Sequence, residues 1–476
     1  MSGSIRFGTD GWRAVIAEDF TFENVRICAQ AVASYLHETV GQGAKVVIGY
    51  DTRFASEDFA AAAAEVLAAN DVHVHLSTKA EPTPVVSHAV VHLKADGGIV
   101  ITASHNPGRW NGFKYKAPDG ASAPMEVITE VERRVSALLQ PGAPPVRRLG
   151  LSDAIARGLV EWHDPSVAYV AGISRLVDIE ALRQMKGTVV VDSMFGAGSG
   201  YFAQLLGGGQ LVVEELNGER NPLFPGIRPE PITPNLARLR GRVPAANALL
   251  GIATDGDADR LGIVDEQGRF MTQHQVFALL CHYLLAVRQE RGHIIRSVTT
   301  TEMISLLGQR FGVPVHVTAV GFKYIAPLML EYDALIGGEE SGGYGFRGHI
   351  PERDGVLAGL YFLDYVRRTG KSPSELLEEL YELVGPHHYD RLDQELQPAD
   401  RARVAAVLEQ LEPARVGDAD VHLVDRTDGV RLVLRDGSWL LFRLSGTEPL
   451  VRIYAEAESV ERVQTLLAQG QCLLGL

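Results

Sequence analysis

Apolar runs of strand type alternate with helix-type segments along most of this chain, and several runs end in a loop of small polar residues. Lys45–Tyr50 precedes an Ala-rich helical segment that ends near Ala69, and Val72–Leu76 and Gly97–Val100 follow with another helical segment between them. Strands that alternate with helices favour α/β domains with mostly parallel sheets. Ligands of such sheets meet the loops at the carboxyl ends of the strands, where these polar residues lie.

The first polar loop is Thr102-Ala103-Ser104-His105-Asn106-Pro107. Pro107 pushes Asn106 out of helical geometry, so the chain turns and presents Ser104 instead of enclosing it in a helix. A presented serine is a candidate nucleophile when charged partners surround it. The alternative is a plain turn with a capping serine.

The second polar loop is acidic. Asp255, Asp257 and Asp259 occupy alternate positions between two apolar runs, Leu249–Ala253 and Leu261–Val264. Three uncompensated carboxylates would be costly in such surroundings, and oxygen ligands of this kind suit Mg²⁺. Two alternatives stay open: a solvated acidic turn, and a phosphatase in which an aspartate is the nucleophile.

Two further loops follow strands nearer the C-terminus. Glu339 and Ser341, in a glycine-rich loop after Ala334–Ile336, can exchange hydrogen bonds with sugar hydroxyls. The last loop follows a predicted hairpin, and its residues are Arg443, Ser445, Gly446 and Thr447. The forked donors of a guanidinium, two hydroxyls and exposed backbone together suit a phosphate. A simple glycine loop and a turn with chance polar residues are the alternatives.

Three local features are predicted from residue types. Ser56 is expected to cap a helix N-terminus. The glycines at 196, 198 and 200 have the spacing Gly-x-Gly-x-Gly, which is not the dinucleotide fingerprint, so we expect them to serve tight strand-to-helix packing. Residues 385–400 are expected to form a linker.

Composition excludes several classes of partner. The net charge of −14 argues against a nucleic acid and against an anionic membrane surface, so any phosphate site must be a local basic cluster. The three cysteines, Cys28, Cys281 and Cys472, have neither metal-site spacing nor a disulfide pattern. With no signal-type apolar core at the N-terminus, we expect a cytoplasmic protein without a membrane partner. The length of 476 residues suggests about three domains.

In this order, the four polar loops resemble those of the α-D-phosphohexomutase superfamily, the phosphoglucomutases and phosphomannomutases. The matching motifs lie at 102–107, 255–260, 338–343 and 443–447, so the resemblance spans essentially the whole chain. It implies three related α/β domains with mixed, mostly parallel sheets and a smaller C-terminal α+β domain, all around a central cleft. The expected domains are residues 1–150, 151–267, 268–385 and 386–476.

The resemblance also implies roles for individual residues. Ser104 would be the phosphoserine that donates the phosphoryl group, and its oxygen would complete a Mg²⁺ site with Asp255, Asp257 and Asp259. Lys114 matches the family's proposed general acid/base, and it can act as a base if partial burial and neighbouring cations lower its pKa. The charged residues expected to assist around the phosphoryl group are His105, Arg13 and Arg260. The residues expected to bind the sugar or its second phosphate are Lys323, Glu339, Ser341, Arg443, Ser445, Gly446 and Thr447.

The implied activity is the interconversion of hexose 1-phosphate and hexose 6-phosphate through a bisphosphorylated intermediate. Glucose is the expected sugar, because Glu-Glu-Ser followed by Gly342-Gly343 looks more like the glucose-preferring branch of the superfamily. Glucose 1,6-bisphosphate would then be the activator of the enzyme and the intermediate of the reaction. A phosphomannomutase and a glucose 1,6-bisphosphate synthase are close alternatives. An aspartate-dependent phosphatase and a non-catalytic sugar-phosphate-binding protein are remote ones. We expect a monomer or a homodimer.

Overall fold

Four β-sheets organise the chain in a computed structural model that describes residues 5–8, 10–445 and 449–476. Three sheets are mixed, each with parallel strands and an antiparallel return strand, and the fourth is entirely antiparallel. The expected fold class, three α/β units followed by a C-terminal α+β unit, is therefore confirmed.

The first unit is built around a six-stranded sheet. Its elements are β1 (Trp12–Val15), α1 (Phe22–Thr39), β2 (Lys45–Tyr50), α2 (Ser56–Ala69), β3 (His73–Ser77), α3 (Thr83–His92), β4 (Gly97–Ile101), β5 (Trp110–Lys116), α4 (Met125–Leu138), α5 (Leu151–Ala156) and β6 (Val160–His163). Successive residues of β2 enter different cores, as the period of a strand requires: Val46 and Ile48 pack with α1 and α2, and Val47 packs with α3.

The second unit has a five-stranded sheet. Its elements are α6 (Ser166–Ile173), α7 (Ile179–Arg183), β7 (Gly187–Asp192), α8 (Tyr201–Leu206), β8 (Leu211–Leu216), α9 (Ala237–Ala245), β9 (Leu250–Thr254), β10 (Leu261–Val264) and β11 (Phe270–Met271). Two of its inner strands, β9 and β10, are fully buried and mostly apolar, as expected for strands covered on both faces.

The third unit has a four-stranded sheet. Its elements are α10 (Gln273–His282), which continues as a π-helical turn (Tyr283–Val287), β12 (Ile294–Ser297), α11 (Met303–Phe311), β13 (Val315–Thr318), α12 (Phe322–Glu331), β14 (Ile336–Gly338), β15 (Tyr344–Phe346), α13 (Gly355–Thr369) and α14 (Pro373–Val384). A capping box formed by Thr272 and Gln275 begins α10, and Ser372 with Glu375 begins α14 in the same way.

The last unit is a six-stranded antiparallel sheet with helices on one face. Its elements are β16 (His388–Glu395), α15 (Pro398–Gln410), β17 (Arg415–Val416), β18 (Ala419–Asp425), β19 (Val430–Leu434), β20 (Trp439–Leu444), β21 (Leu450–Ala457) and α16 (Val460–Leu474). Leu440 and Phe442 pack against the helices, whereas Trp439 and Leu441 face the third unit and contact Val298. The uncovered face of this sheet is therefore the one that docks onto the rest of the molecule.

The first three sheets share one strand order. Their central strands run β5-β4-β2-β3, β10-β9-β7-β8 and β15-β14-β12-β13. In each sheet the third parallel strand along the chain (β4, β9 or β14) pairs with an antiparallel return strand, and a polar loop joins the two. The loops that contain Ser104, Asp255–Asp259 and Glu339–Ser341 thus occupy equivalent positions.

The structure corrects three local predictions. Ser56 is not a helix cap: Ala55 holds that position, and the Ser56 hydroxyl donates to Asp51 Oδ1 at 3.0 Å. Residues 385–400 are not a linker, because β16 and the beginning of α15 lie within them. The first sheet extends past the boundary placed at residue 150, because β6 pairs with β3.

None of the helices in the described ranges is long and apolar enough to cross a bilayer.

Candidate active site

Ser104 meets the acidic loop of the second unit. Its hydroxyl donates to Asp255 Oδ2 at 2.8 Å, and His105 Nδ1 lies 3.3 Å from the serine oxygen. The backbone of Ser104 has a φ of 51°, an uncommon conformation for a residue with a side chain, and one found at functional sites. The serine is thus presented to a charged cluster, and only 1% of it is exposed.

A buried arginine holds the serine loop in this conformation. Arg53 Nη2 donates to the carbonyls of Ser104 and Asn106, both at 2.6 Å, and its Nη1 donates to those of Pro107 and Trp110. Asp51 pairs with Arg53 Nε at 3.0 Å. Because four loop carbonyls depend on one fully buried guanidinium, Arg53 fixes the path of the loop backbone. No role was predicted for Arg53 from the sequence.

Asp255, Asp257 and Asp259 converge as a candidate metal site. Each offers an oxygen within 4.8 Å of the other two, and all three residues are buried. Asp257 Oδ1 and Asp259 Oδ1 have no hydrogen-bond partner among the described residues. Burial and the two neighbouring carboxylates raise the pKa of Asp255 well above its ordinary value. Carboxylate oxygens that are buried and crowded, some of them without a hydrogen-bond partner in the described ranges, fit a divalent cation such as Mg²⁺.

Lys114 reaches this cluster from β5. Its ammonium lies 2.7 Å from Asp10 Oδ2, 2.8 Å from Asp257 Oδ2 and 3.7 Å from Asp259 Oδ2. Burial lowers the pKa of Lys114, but the three carboxylates outweigh it and raise that pKa above its ordinary value. The condition under which Lys114 could act as a base, a pKa lowered by burial and neighbouring cations, is therefore not met in this arrangement. Lys114 holds its proton firmly, and its ammonium balances the buried carboxylates around it.

Two arginines and a histidine surround the serine. Arg13 Nη1 donates to Asn106 Oδ1 at 2.9 Å. Arg260 Nε lies 4.0 Å from Asp255 Oδ2 and 3.9 Å from an oxygen of Asp259. Burial, together with both arginines, lowers the pKa of His105 well below its ordinary value, so its ring is neutral at neutral pH.

The loop between β14 and β15 brings in Glu339 and Ser341. Glu339 Oε2 lies 3.3 Å from Arg353 Nη1, and the Ser341 hydroxyl is buried without a hydrogen-bond partner in the described part of the chain. Glu340 accepts a 2.9 Å hydrogen bond from the Tyr389 hydroxyl on β16. The loop therefore touches both the metal-loop side and the last unit.

The predicted phosphate loop is described only in part. Arg443 Nη2 pairs with Asp428 at 2.8 Å, and the Ser445 carbonyl accepts from Arg401 Nη2 at 2.7 Å. Gly446 and Thr447, predicted as two more members of this loop, lie outside the described residues. Lys323 Nζ lies 2.9 Å from Met125 Sδ, so its ammonium contacts the first unit.

Comparison with known proteins identifies the family. Models of the phosphoglucomutase/phosphomannomutase family match α/β/α domain I at residues 4–141, domain II at 167–268, domain III at 272–384 and the C-terminal domain at 393–469. The chain belongs to this family. It is therefore a phosphohexomutase, an enzyme of the isomerase class.

Similar proteins within the family carry different names. A phosphoglucomutase/phosphomannomutase from Thermococcus kodakarensis is 33% identical over 476 residues, which is 98% of each chain. A probable phosphoglucosamine mutase from Methanothermobacter thermautotrophicus is 33% identical over 96% of this chain and 95% of its own. The crystal structure of a putative phosphomannomutase from Thermus thermophilus superposes with a TM-score of 0.86, 37% identity and full coverage of both chains. Family membership thus leaves the sugar open.

Besides Arg53, four charged residues of this phosphohexomutase site were missed from the sequence: Asp10, Lys116, Glu352 and Arg353. Lys116 is ion-paired with Glu352, and both are fully buried. Lys116 had a sequence signal, because it lies two residues beyond Lys114 and so on the same face of β5. The other three come from distant parts of the chain and only folding brings them together.

Close backbone approach joins the serine and metal loops, and it makes a test possible. A Cβ at Gly256 would lie 2.4 Å from the Ser104 carbonyl oxygen. We expect Gly256→Ala to lower the free energy of unfolding by about 1–3 kcal/mol, because the backbones must separate, and to reduce turnover with it. Chemical denaturation and an activity assay would measure both effects.

Gly241 provides the control for this prediction. It lies in α9, and a Cβ there would meet no atom within 4 Å. Gly241→Ala should therefore raise the free energy of unfolding by up to about 1 kcal/mol. Equal denaturation midpoints for the two variants would contradict a tight contact at Gly256.

Proposed function

We propose that this phosphohexomutase interconverts α-D-glucose 1-phosphate and glucose 6-phosphate through a phosphoserine at Ser104 and a glucose 1,6-bisphosphate intermediate. The observation that supports this most is the 2.8 Å hydrogen bond between the Ser104 hydroxyl and Asp255. It joins a hydroxyl of the first unit to the buried acidic cluster of the second. A phosphoryl group on Ser104 would lie beside a divalent cation held by that cluster.

The charges around Ser104 suit this chemistry. Phosphoserine carries a charge of about −1.5 to −2, and phosphoryl transfer depends on positioning and charge neutralisation. Asp255, Asp257 and Asp259 would hold Mg²⁺, which would neutralise charge on the phosphoryl group. The cations that would flank the transferring group are Arg13, Arg260 and Lys114, with His105 as a neutral hydrogen-bonding group.

Lys114 would move the proton of the sugar hydroxyl. Its ammonium would donate a proton to the departing sugar oxygen when the bisphosphate returns a phosphoryl group to Ser104, once Mg²⁺ on the acidic loop offsets the carboxylates that raise its pKa. In the opposite direction, the amine left by that donation would receive the proton of the attacking hydroxyl. The hydroxyl proton of Ser104 would pass to Asp255 Oδ2, which accepts its hydrogen bond, and would return from it in the reverse transfer.

The remaining residues would bind the substrate away from the reacting phosphate. Glu339 and Ser341 would accept and exchange hydrogen bonds with sugar hydroxyls. The non-reacting phosphate would lie against Arg443, Ser445, Gly446 and Thr447, with Lys323 as a further contact. Such a phosphate site must accept either end of the sugar, because the bisphosphate has to reorient between the two transfers.

The names of the relatives favour a second candidate, a phosphoglucosamine mutase. The two candidates differ only at the sugar 2-position, an amine in one substrate and a hydroxyl in the other. We retain glucose because of the Glu-Glu-Ser-Gly-Gly sequence at 339–343. Cytoplasmic location, the absence of nucleic-acid and membrane partners, and a monomeric or homodimeric state stay predictions.

A substrate comparison tests the proposal. With Mg²⁺ and a trace of the matching 1,6-bisphosphate, kcat/KM should be highest for glucose 1-phosphate among the 1-phosphates of glucose, mannose and glucosamine. Chelation by EDTA should abolish turnover, and added Mg²⁺ should restore it, because the acidic loop needs its cation.

Three other outcomes would change this proposal. A higher kcat/KM for mannose or glucosamine 1-phosphate would replace glucose with that sugar. Slow turnover with accumulating bisphosphate would indicate the synthase. Full turnover in EDTA would contradict the metal role of the acidic loop.

A further inference from the structure

Arg353 lies at the junction of the metal and sugar loops. One terminal nitrogen, Nη2, is 2.8 Å from both Asp10 Oδ2 and Asp259 Oδ2, and the other, Nη1, is 3.3 Å from Glu339 Oε2. The Nε atom is 3.2 Å from Glu352 Oε1. Only 5% of the residue is exposed. A single guanidinium thus links a proposed metal ligand to a proposed sugar ligand.

The surrounding backbone fixes this arginine. Arg353 directly precedes Asp354, which caps the N-terminus of α13. The backbone N–H of Gly355 donates to the carbonyl of Ala258, in the metal loop, at 3.0 Å. Gly343 leaves the space that the side chain occupies, because a Cβ there would lie 2.3 Å from Arg353 Cδ. The guanidinium is therefore anchored to the metal loop and passes beside the sugar loop.

We propose that Arg353 is a positioning residue that orients the Glu339 carboxylate toward the sugar hydroxyls and thereby sets discrimination for them. This inference rests on the proposed function. Arg353 engages Glu339 Oε2, so the other carboxylate oxygen, Oε1, would be the one that meets a substrate hydroxyl. The buried Ser341 hydroxyl, without a partner in the described structure, supplies the second group of the same subsite.

The geometry of arginine suits this role better than that of lysine. A guanidinium is planar and presents donors in a fixed fork, so it constrains the direction of a carboxylate as well as its distance. Lysine offers a single point charge on a flexible chain. Because the same fork also holds Asp259, it sets the sugar loop at a fixed distance from the metal loop.

A different role for Arg353 is simple charge balance. Asp10, Asp259 and Glu352 all lie within hydrogen-bonding distance, so the arginine also neutralises buried carboxylates. A residue with that role alone would affect stability and turnover equally for every substrate. A positioning residue changes how strongly the enzyme prefers a substrate that carries the recognised hydroxyl.

Deoxy substrates separate the two roles. The measurement is kcat/KM for glucose 1-phosphate divided by kcat/KM for its 3-deoxy and 4-deoxy analogues, in wild type, Arg353→Met, Glu339→Ala and the double variant. The wild-type ratio should be about 10–100 for at least one analogue, as expected for a hydrogen bond to a charged group. In Arg353→Met, this ratio should fall to the value measured for Glu339→Ala. The double variant should have the same ratio as either single variant.

Two more variants complete the experiment. Arg353→Lys should give an intermediate ratio, reduced at least about threefold, because a single ammonium does not fix the carboxylate direction; it also serves as the test variant should Arg353→Met fail to fold. Arg347→Met removes another arginine of the same segment, which pairs with Asp333, and should leave the ratio unchanged.

The inference and the proposed function fail in different ways. No Ser104-dependent turnover of any hexose 1-phosphate by wild type would overturn the proposed function. Normal wild-type turnover, with a deoxy ratio that stays at the wild-type value in folded Arg353→Met or Arg353→Lys, would overturn the role of Arg353 alone.

Discussion

Ser104→Ala should abolish the mutase reaction. The alanine variant has no oxygen to carry the phosphoryl group, so kcat should fall by at least about four orders of magnitude, as it does when a covalent nucleophile is removed. Intact-mass measurement after incubation with glucose 1,6-bisphosphate should show one added phosphoryl group on wild type and none on the variant.

The fold should survive this substitution, because the Ser104 side chain makes one hydrogen bond to Asp255 and one contact with His105. Ser152→Ala is the matched control, since Ser152 lies exposed in α5 of the same unit and should leave turnover unchanged. Phosphate release that persists in Ser104→Ala would instead point to an aspartate of the acidic loop as the nucleophile.

Arg53→Met should have the largest effect on stability. It removes the donor to the carbonyls of Ser104, Asn106, Pro107 and Trp110, and it leaves the buried carboxylate of Asp51 without its ion-pair partner. Breaking a buried ion pair from one side costs about 3–5 kcal/mol of the free energy of unfolding. Turnover should be lost as well, because the serine loop no longer has a fixed path.

Calorimetry and circular dichroism would measure this loss, and two variants bracket it. Arg133→Met is the control, because that arginine is exposed in α4 and its ion pair with Glu130 contributes little. Arg53→Lys keeps the positive charge but not the forked donors of the guanidinium, so it should recover only part of the stability that Arg53→Met loses. An Arg53→Met protein as stable as Arg133→Met would show that the loop holds its conformation without the arginine.

Local patterns predicted the elements that bury apolar side chains. The run Lys45–Tyr50 is a strand with those bounds, and the polar segments after β4, β9 and β14 are the loops that meet in the site. These predictions hold because an apolar run must be buried, and a run of that length between turns is buried as a strand.

Predictions that depended on tertiary partners failed. Ser56 has the residue type of a cap, but Asp51 and Asn111 bind its hydroxyl. The polar stretch at 388–395 has the composition of a linker, yet β21 gives it a full set of pairing partners. Composition describes a segment alone, whereas its neighbours in the fold decide its conformation.

The charged network of the site was the least predictable part. Asp10 and Arg353 are 343 positions apart in sequence, and nothing near either one indicates the other. Lys114 shows the same limit: the family resemblance selected the residue, but the sign of its pKa shift depends on carboxylates that distant segments of the chain supply. Electrostatics at this site is a property of the assembled units.

The common strand order of the first three sheets bears on the ancestry of the molecule. Equivalent hairpins carry the serine, the acidic cluster and the sugar-loop glutamate, although the sequences of the units show no visible repeat. Duplication of one gene segment would leave such a record when side chains diverge faster than the backbone path. The reaction centre would then combine the equivalent loops of three fused copies, each of which has kept one task.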